Sequence, residues 1–515
     1  MTSLEDVLAA AGKLADELDA IVEEVDDLWL QAQLDWIWYR LSTANVILRD
    51  RGGGPAAAVL ARGLLEQAAY WDWALATGAG SDLVVRQTAS ELARLRQLAD
   101  SIDDTTWTGW LLPPGVSVAS VGTDGLPRNA AEAVKRLGGG LDEASLQPLT
   151  FKGVFSAYRV LEVLSHGGLA AASVLRSGGG EELTNPLAAV VAHVAATGAA
   201  ASSAAQLSQH GLSADGIVSR SLEVARLASE VHGLPLGEPR RVRAVARSGP
   251  ISPLAIAADI EHMPPAQQST IRAAKDFLRS AERVGQAATR AVRMEDPGAY
   301  LIWPAFQMAW AQLHVLRGIA QGTLGAALLP FAARPIFEEG ARWGWLAWSG
   351  PHGQPGEGLH AIVDDGRRRV VKIRNSLAGE DMPQGAIDHL LGDATDLLMA
   401  QPSSVPLPEL ATLLREGHPT GSGVESAGPI YSVLSQFVHA TPVAVLHLQR
   451  DTFPSLTAPV FAVAVEATCR GFANTARASL AISCTPTAEL SEALKELDVA
   501  LASVVVDAAR LHLLG

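Results

Sequence analysis

Cysteine is almost absent. Cys469 and Cys484 are the only two in 515 residues. Two thiols cannot build a disulfide framework or a cysteine-based zinc site, and their scarcity points to a reducing, cytoplasmic setting. Positive charge is also short. Forty Lys and Arg face 55 Asp and Glu, giving a net charge of −15 and a pI of about 5.3. That balance argues against a broad electrostatic grip on nucleic acid, while leaving room for a local basic groove. The N-terminus, Met1-Thr2-Ser3-Leu4-Glu5-Asp6, lacks the basic-then-apolar pattern of a secretion signal. Long uncharged runs are rare too. Asn185 to Gly211 holds His193 and His210 but no acid, lysine or arginine, and its Ala, Ser and Thr are weakly apolar for a span. Its counterpart, Pro459 to Ala481, carries Glu466, Arg470 and Arg477. Both are expected to be buried helices, with no membrane contact.

Catalytic signatures are missing as well. No Gly-rich phosphate loop, His-Glu-x-x-His zinc motif or Gly-x-Ser-x-Gly elbow is present. The acidic pairs Asp26-Asp27 and Asp364-Asp365 lack the partner motif of a prenyl-diphosphate cyclase and are expected to be solvated. One His and one Glu per half are too few for a metal site. No cofactor or metal is expected.

What the chain does contain is a repeat. Ala61-Arg62-x-x-x-Glu66 leads to Trp71-x-Trp73, and Ala333-Arg334-x-x-x-Glu338 leads to Trp343-x-Trp345, 272 residues later. A second segment follows each at an offset of 273: Tyr158-x-x-Leu161 with Ser165 and His166, then Tyr431-x-x-Leu434-Ser435 with His439. The chain exceeds what one core usually fills. It is 48% hydrophobic and has few β-branched alternating runs, which favours helices. The expectation is an all-α protein made of two tandem, degenerate copies of one helical bundle packed as a pseudo-dimer. The first copy covers 1–235, a Pro- and Arg-rich linker 236–268, and the second copy 269–515.

In the first half, helices are expected over 3–28, with Ser3 as N-cap and Asp6 three residues on, then over 28–49 and from Pro55 to about Gly78. A polar helix over 81–102, a long loop over 103–128 and a short helix near 130–137 follow. One motif helix over 150–176 and helices over 187–209 and 214–232 complete the half. The linker's Arg240, Arg241, Arg243 and Arg247 fit a solvated segment or a nucleic-acid contact. In the second half, helices are expected over 269–294 and 298–321, then a motif helix to Ser349 with Pro330 and Pro335 in its first turn or at a kink. An irregular region over 350–385, with Arg367 to Arg369 and Lys372, precedes helices near 385–400, 405–416, 456–482 and 487–512, with the His439 helix between them. Few or no strands are expected.

Arg62 and Glu66 are four apart and share one helix face, as do Arg334 and Glu338. Tyr158, Ser165 and His166 are candidate partners for the first pair, and Tyr431, Ser435 and His439 for the second. Each set could be a buried network that fixes helix register. Equally, it could be a site in which His is a general base, Glu orients it and Arg stabilises negative charge. Trp71, Trp73, Trp343 and Trp345 fit either core packing or an aromatic pocket.

These motifs resemble a bacterial all-helical family known only as a domain of unknown function, marked by an Arg-x-x-x-Glu helix followed by a Tyr-x-x-Leu-Ser…His helix. That resemblance implies an all-helical fold and no assigned activity. The stretch Arg159 to His166 also resembles the Arg-x4–6-His motif of HEPN domains, which include metal-independent ribonucleases acting as toxins or defence effectors. This second resemblance implies RNA cleavage by Arg159 and His166 at a composite site between two copies, with Ser432 replacing the arginine in the second. The leading functional expectation is a non-enzymatic binding module for a small ligand or protein partner. The alternatives are the ribonuclease, with RNA as partner, and a small-molecule hydrolase using Glu66 and His166.

Overall fold

Helix starts follow their caps. Ser3 accepts from the Asp6 backbone N–H at 3.2 Å, and the Asp6 carboxylate accepts from the Ser3 N–H at 2.8 Å, closing a reciprocal box. Asp296 caps a later helix by accepting from Gly298 N–H at 2.8 Å, with Pro297 in the first position. The computed structural model describes residues 2–49, 54–76, 127, 130–139, 149–150, 153–176, 183–233, 240–241, 266–348, 355–379, 384–417, 427–439, 448–449, 455–456 and 458–514.

The chain is all-α. The helices of the first half are α1 (Leu4–Glu24), α2 (Leu28–Arg49), α3 (Gly54–Ala76), α4 (Ala130–Gly139), α5 (Val154–His166), α6 (Leu169–Arg176), α7 (Asn185–Gln209) and α8 (Asp215–His232). Those of the second are α9 (Ala266–Ala291), α10 (Pro297–Gln321), α11 (Leu329–Trp348), α12 (Pro355–Ala378), α13 (Gln384–Leu391), α14 (Leu410–Glu416), α15 (Ala427–Val438), α16 (Ala458–Ser483) and α17 (Ala488–Leu514). Among the described residues, strand pairing is confined to two antiparallel ladders, Leu149–Thr150 with Arg240–Arg241 and Leu448–Gln449 with Ser455–Leu456, and one isolated bridge. The expected helix over 81–102, the loop over 103–128 and nearly all of the linker lie outside the described residues.

Three expectations need correction. The single helix expected over 150–176 is two, because Gly167 (φ +65°) and Gly168 (φ +89°) turn the chain through a left-handed conformation that glycine adopts without strain. The region expected to be irregular over 350–385 is largely helical, as α12. Its basic run is not free. Arg367 pairs with Asp364 at 2.7 Å, Arg368 with Asp364 at 3.4 Å and Arg369 with Asp365 at 2.9 Å, all at helical spacing. Asp364 is therefore buried and paired, not solvated.

One continuous apolar core runs through both halves. α7 sits deep in it, packed by α3, α8, α2 and α1. It is long and apolar enough to cross a membrane, yet the qualifying stretch is wholly buried inside the bundle. The same close crossing occurs in each half. Gly198 of α7 lies on the backbone of Leu64 and Leu65 of α3, where a Cβ would come within 2.7 Å of Leu64. Gly471 of α16 lies on Ile336 and Phe337 of α11, where a Cβ would come within 2.3 Å of the Ile336 carbonyl. Only a residue without a side chain lets the backbones approach so closely. These crossings hold α3 and α11, the two motif helices, against long buried helices.

The halves meet through α5 and α6 of the first and α10, α11 and α12 of the second. Arg176 at the end of α6 ties them together. It donates to Asp393 and Asp396, each at 2.9 Å, and to the Tyr300 carbonyl at 2.9 Å, while its guanidinium lies 3.8 Å from the centre of the Tyr300 ring.

Candidate functional site

The motif residues come together where the halves meet. On α3, Arg62 Nε donates to Glu66 Oε1 at 2.9 Å across one helical turn. The Tyr158 hydroxyl, from α5, donates to the same oxygen at 3.1 Å and accepts from Arg62 Nη2 at 3.3 Å. The Arg62 guanidinium also lies over the Tyr158 ring at 5.3 Å. Arg62, Glu66 and Tyr158 are all buried.

The histidines cross over. His439, just past α15 of the second half, places Nδ1 2.9 Å from Glu66 Oε2. His166, the last residue of α5, places Nδ1 3.3 Å from Glu338 Oε2 of α11. Each half thus supplies the imidazole that meets the other half's glutamate. The carboxylates only accept, so both Nδ1 atoms carry the proton. His166 Nε2 lies 2.8 Å from Arg62 Nη1, which only donates, so Nε2 offers its lone pair. His166 is neutral and fully engaged. The hydrolase alternative placed Glu66 with His166; in the structure Glu66 meets His439, and His166 is joined to it only through Arg62.

The second set is built alike but not identically. Arg334 Nη2 donates to the Tyr431 hydroxyl at 2.8 Å, and Arg334 Nε pairs with Glu338 Oε1 at 3.2 Å. Among the described residues no protein group accepts from Arg334 Nη1, the atom matching the one that Arg62 directs to His166. Two residues that the motif spacing did not single out join this set. Arg342 donates to Glu339 at 3.0 Å and to the His166 carbonyl at 3.2 Å, and it approaches Glu338 at 3.6 Å. Glu339 also accepts the indole N–H of Trp343 at 2.6 Å. The signal for them was the doublet Glu338-Glu339 with Arg342 one turn on, inside an apolar helix. The matching first-half positions, Gln67 and Tyr70, carry no such pair.

Comparison with family models, curated proteins and solved structures finds no match to the chain.

Burial works against charge on Glu66, but Arg62 and His439 outweigh it and hold the carboxyl below the usual range. Glu338 is held low in the same way, by His166 and Arg334 against burial. Burial also depresses His166, to about 4, with Glu338 opposing and Arg62 assisting. His439 is lowered, chiefly by burial. At neutral pH the carboxylates are ionised and both imidazoles neutral.

Other expected site residues lie apart from this network. Ser165 donates back to the Leu161 carbonyl of its own helix at 2.6 Å, and Ser435 does the same to Tyr431 at 2.8 Å. Arg159 is paired with Glu162 and lies over Phe155 at 4.7 Å. Trp343 and Trp345 are core side chains, and Trp71 and Trp73 are half-buried. Among the described residues no group of three or more His, Cys, Asp or Glu is placed to hold a metal.

Proposed function

We propose that the chain is a non-enzymatic helical binding protein whose two halves are degenerate copies of one bundle, related as a pseudo-dimer. The crossed Arg-Glu-Tyr-His cluster is the lock that holds them at a fixed angle. One observation carries this reading: both nitrogens of His166 are engaged, Nδ1–H by Glu338 and the Nε2 lone pair by Arg62. A general base needs a free lone pair within reach of a substrate proton. Glu66 is equally occupied, with three donors on its two oxygens. The shared motif spacing and the paired glycine crossings support the duplication. The partner, a small ligand or another protein, would meet the outer faces of a scaffold that the lock keeps rigid.

The HEPN-type ribonuclease is the second reading. It is favoured by one feature, the position of His166 and His439 at the seam between halves, where their side chains stay 22% and 33% exposed. Engagement of Arg159 by Glu162 weighs against it. RNA cleavage at low salt with EDTA, by wild type and by His166→Ala, separates the two. The lock reading expects no cleavage by either folded protein, and a less stable mutant. Cleavage by wild type that disappears in His166→Ala would replace it with the nuclease.

A further inference from the structure

The two crossed histidines differ at the nitrogen that points away from the carboxylate. On His166 that atom, Nε2, is closed off by Arg62 Nη1 at 2.8 Å. On His439 it is open. Glu66 takes the Nδ1–H at 2.9 Å, and among the described residues no protein group meets Nε2. The matching arginine is engaged elsewhere: Arg334 Nη2 donates to the Tyr431 hydroxyl and Nε pairs with Glu338. Nor is His439 Nε2 buried. It reaches solvent at the seam, on a side chain that is 33% exposed.

This arrangement presents a nucleophile. A carboxylate can only accept, so it fixes the proton on Nδ1 and leaves the lone pair on Nε2. Glu66 is itself held, because Arg62 and Tyr158 both bond its other oxygen. One tautomer is thus locked, with the reactive atom outward, as in a nucleophile set up by a neighbouring carboxylate. Burial lowers the proton affinity of His439, with Glu66 opposing and Arg334 and Arg62 assisting. The lone pair therefore stays free in mild acid, where an ordinary imidazole takes a proton. Two guanidiniums against one carboxylate also favour an incoming group that carries negative charge. His360 on α12 makes the natural comparison: it is exposed, and among the described residues no carboxylate bonds its ring.

We propose that His439 Nε2 is a covalent modification site that accepts a phosphoryl group from a small donor such as an acyl phosphate or a phosphoramidate. Nε2 attacks phosphorus. The N–P bond forms as the bond to the leaving group breaks, and that group departs with its electron pair. The ring keeps its Nδ1 proton, and the Glu66 carboxylate beside it offsets the positive charge that the ring gains. Only His439 and Glu66 are required, so the site stands whether or not the crossed pairs lock the halves.

The test is incubation of the wild-type protein with phosphoramidate at about pH 6, followed by peptide mapping of every histidine by mass spectrometry. His439 should gain a phosphoryl group about 10-fold faster than His360, and His166 should gain none. Labelling of His360 as fast as His439, labelling of His166, or no label on His439 overturns the proposal. Glu66 is a positioning residue, so Glu66→Gln is read by the His439 ring as well. Its imidazole ¹⁵N shifts should show the fixed Nδ1–H form in wild type and a mixture of tautomers in the variant. The labelling rate should fall about 10-fold at His439 and stay the same at His360. An unchanged His439 rate in folded Glu66→Gln overturns the proposal, and if that variant does not fold, the ranking in wild type decides alone.

Discussion

Glu66→Ala removes an acceptor on which three donors converge, two of them buried. The mutant leaves the Arg62 guanidinium inside the protein without its carboxylate, and strips the Tyr158 hydroxyl and the His439 N–H of their shared partner. Breaking one side of a buried ion pair costs about 3–5 kcal/mol, because the orphaned charge stays buried. Leaving the two extra donors without their acceptor keeps the expected value in the upper part of that range. Urea unfolding read by circular dichroism, with wild type and mutant compared at pH 7.5, measures it. The informative experiment adds His439→Ala and the double mutant. His439 belongs to the other half, so a coupling energy of about 1–3 kcal/mol would report a contact that joins the halves. If the single-mutant costs add to within about 0.5 kcal/mol, the crossed bond contributes nothing in solution and the lock is refuted.

Acid should weaken the protein before its carboxylates titrate. The folded pKa of His166 is depressed to about 4 from an ordinary 6.5, so between those values only the unfolded chain takes up the proton. Stability therefore falls as pH drops from 6.5 to 4, by about 3 kcal/mol for this residue. His166→Gln should flatten that part of a urea-midpoint profile without abolishing it, because buried His193 and His232, lowered to about 3 and about 4, act in the same direction. Gly471→Ala would drive a Cβ into the Ile336 carbonyl, and α11 and α16 must part. A loss of about 3 kcal/mol is expected, and a fall of under 1 kcal/mol in an unfolding titration would contradict the close crossing. Trp343→Phe removes the donor to Glu339 and some core volume, so thermal unfolding should show a cost of about 2–4 kcal/mol.

The sequence carried the local features well. Ser3 with Asp6, and Pro55 just after a glycine run, marked helix starts because capping depends on residues only a few positions apart. The Arg-Glu pairs and their tyrosines were visible because helical spacing and repetition both showed them. Other features needed the third dimension. Gly167-Gly168 sits inside a long apolar pattern that continues on both sides, so the pattern hides the turn that both glycines make. The basic run of Arg367 to Arg369 breaks up the apolar pattern of α12, yet Asp364 and Asp365 pair with all three arginines one turn away. Helical periodicity gives the face of a residue, not the helix it meets, so nothing in the spacing told that His439 would reach Glu66. Arg342 and Glu339 escaped because the first half has no counterpart to them.

The crossed bonds also set an order of events during synthesis. Glu66 and His439 are separated by 373 positions. At a translation rate of about 5–20 residues per second, roughly 20–75 s pass between the appearance of the two on the ribosome. Through that interval α3 can form and Arg62 can pair with Glu66, but one carboxylate oxygen has no imidazole to accept from. The nascent first half therefore waits with an unfinished polar face directed at where the second half will dock, and only completion of the chain closes it.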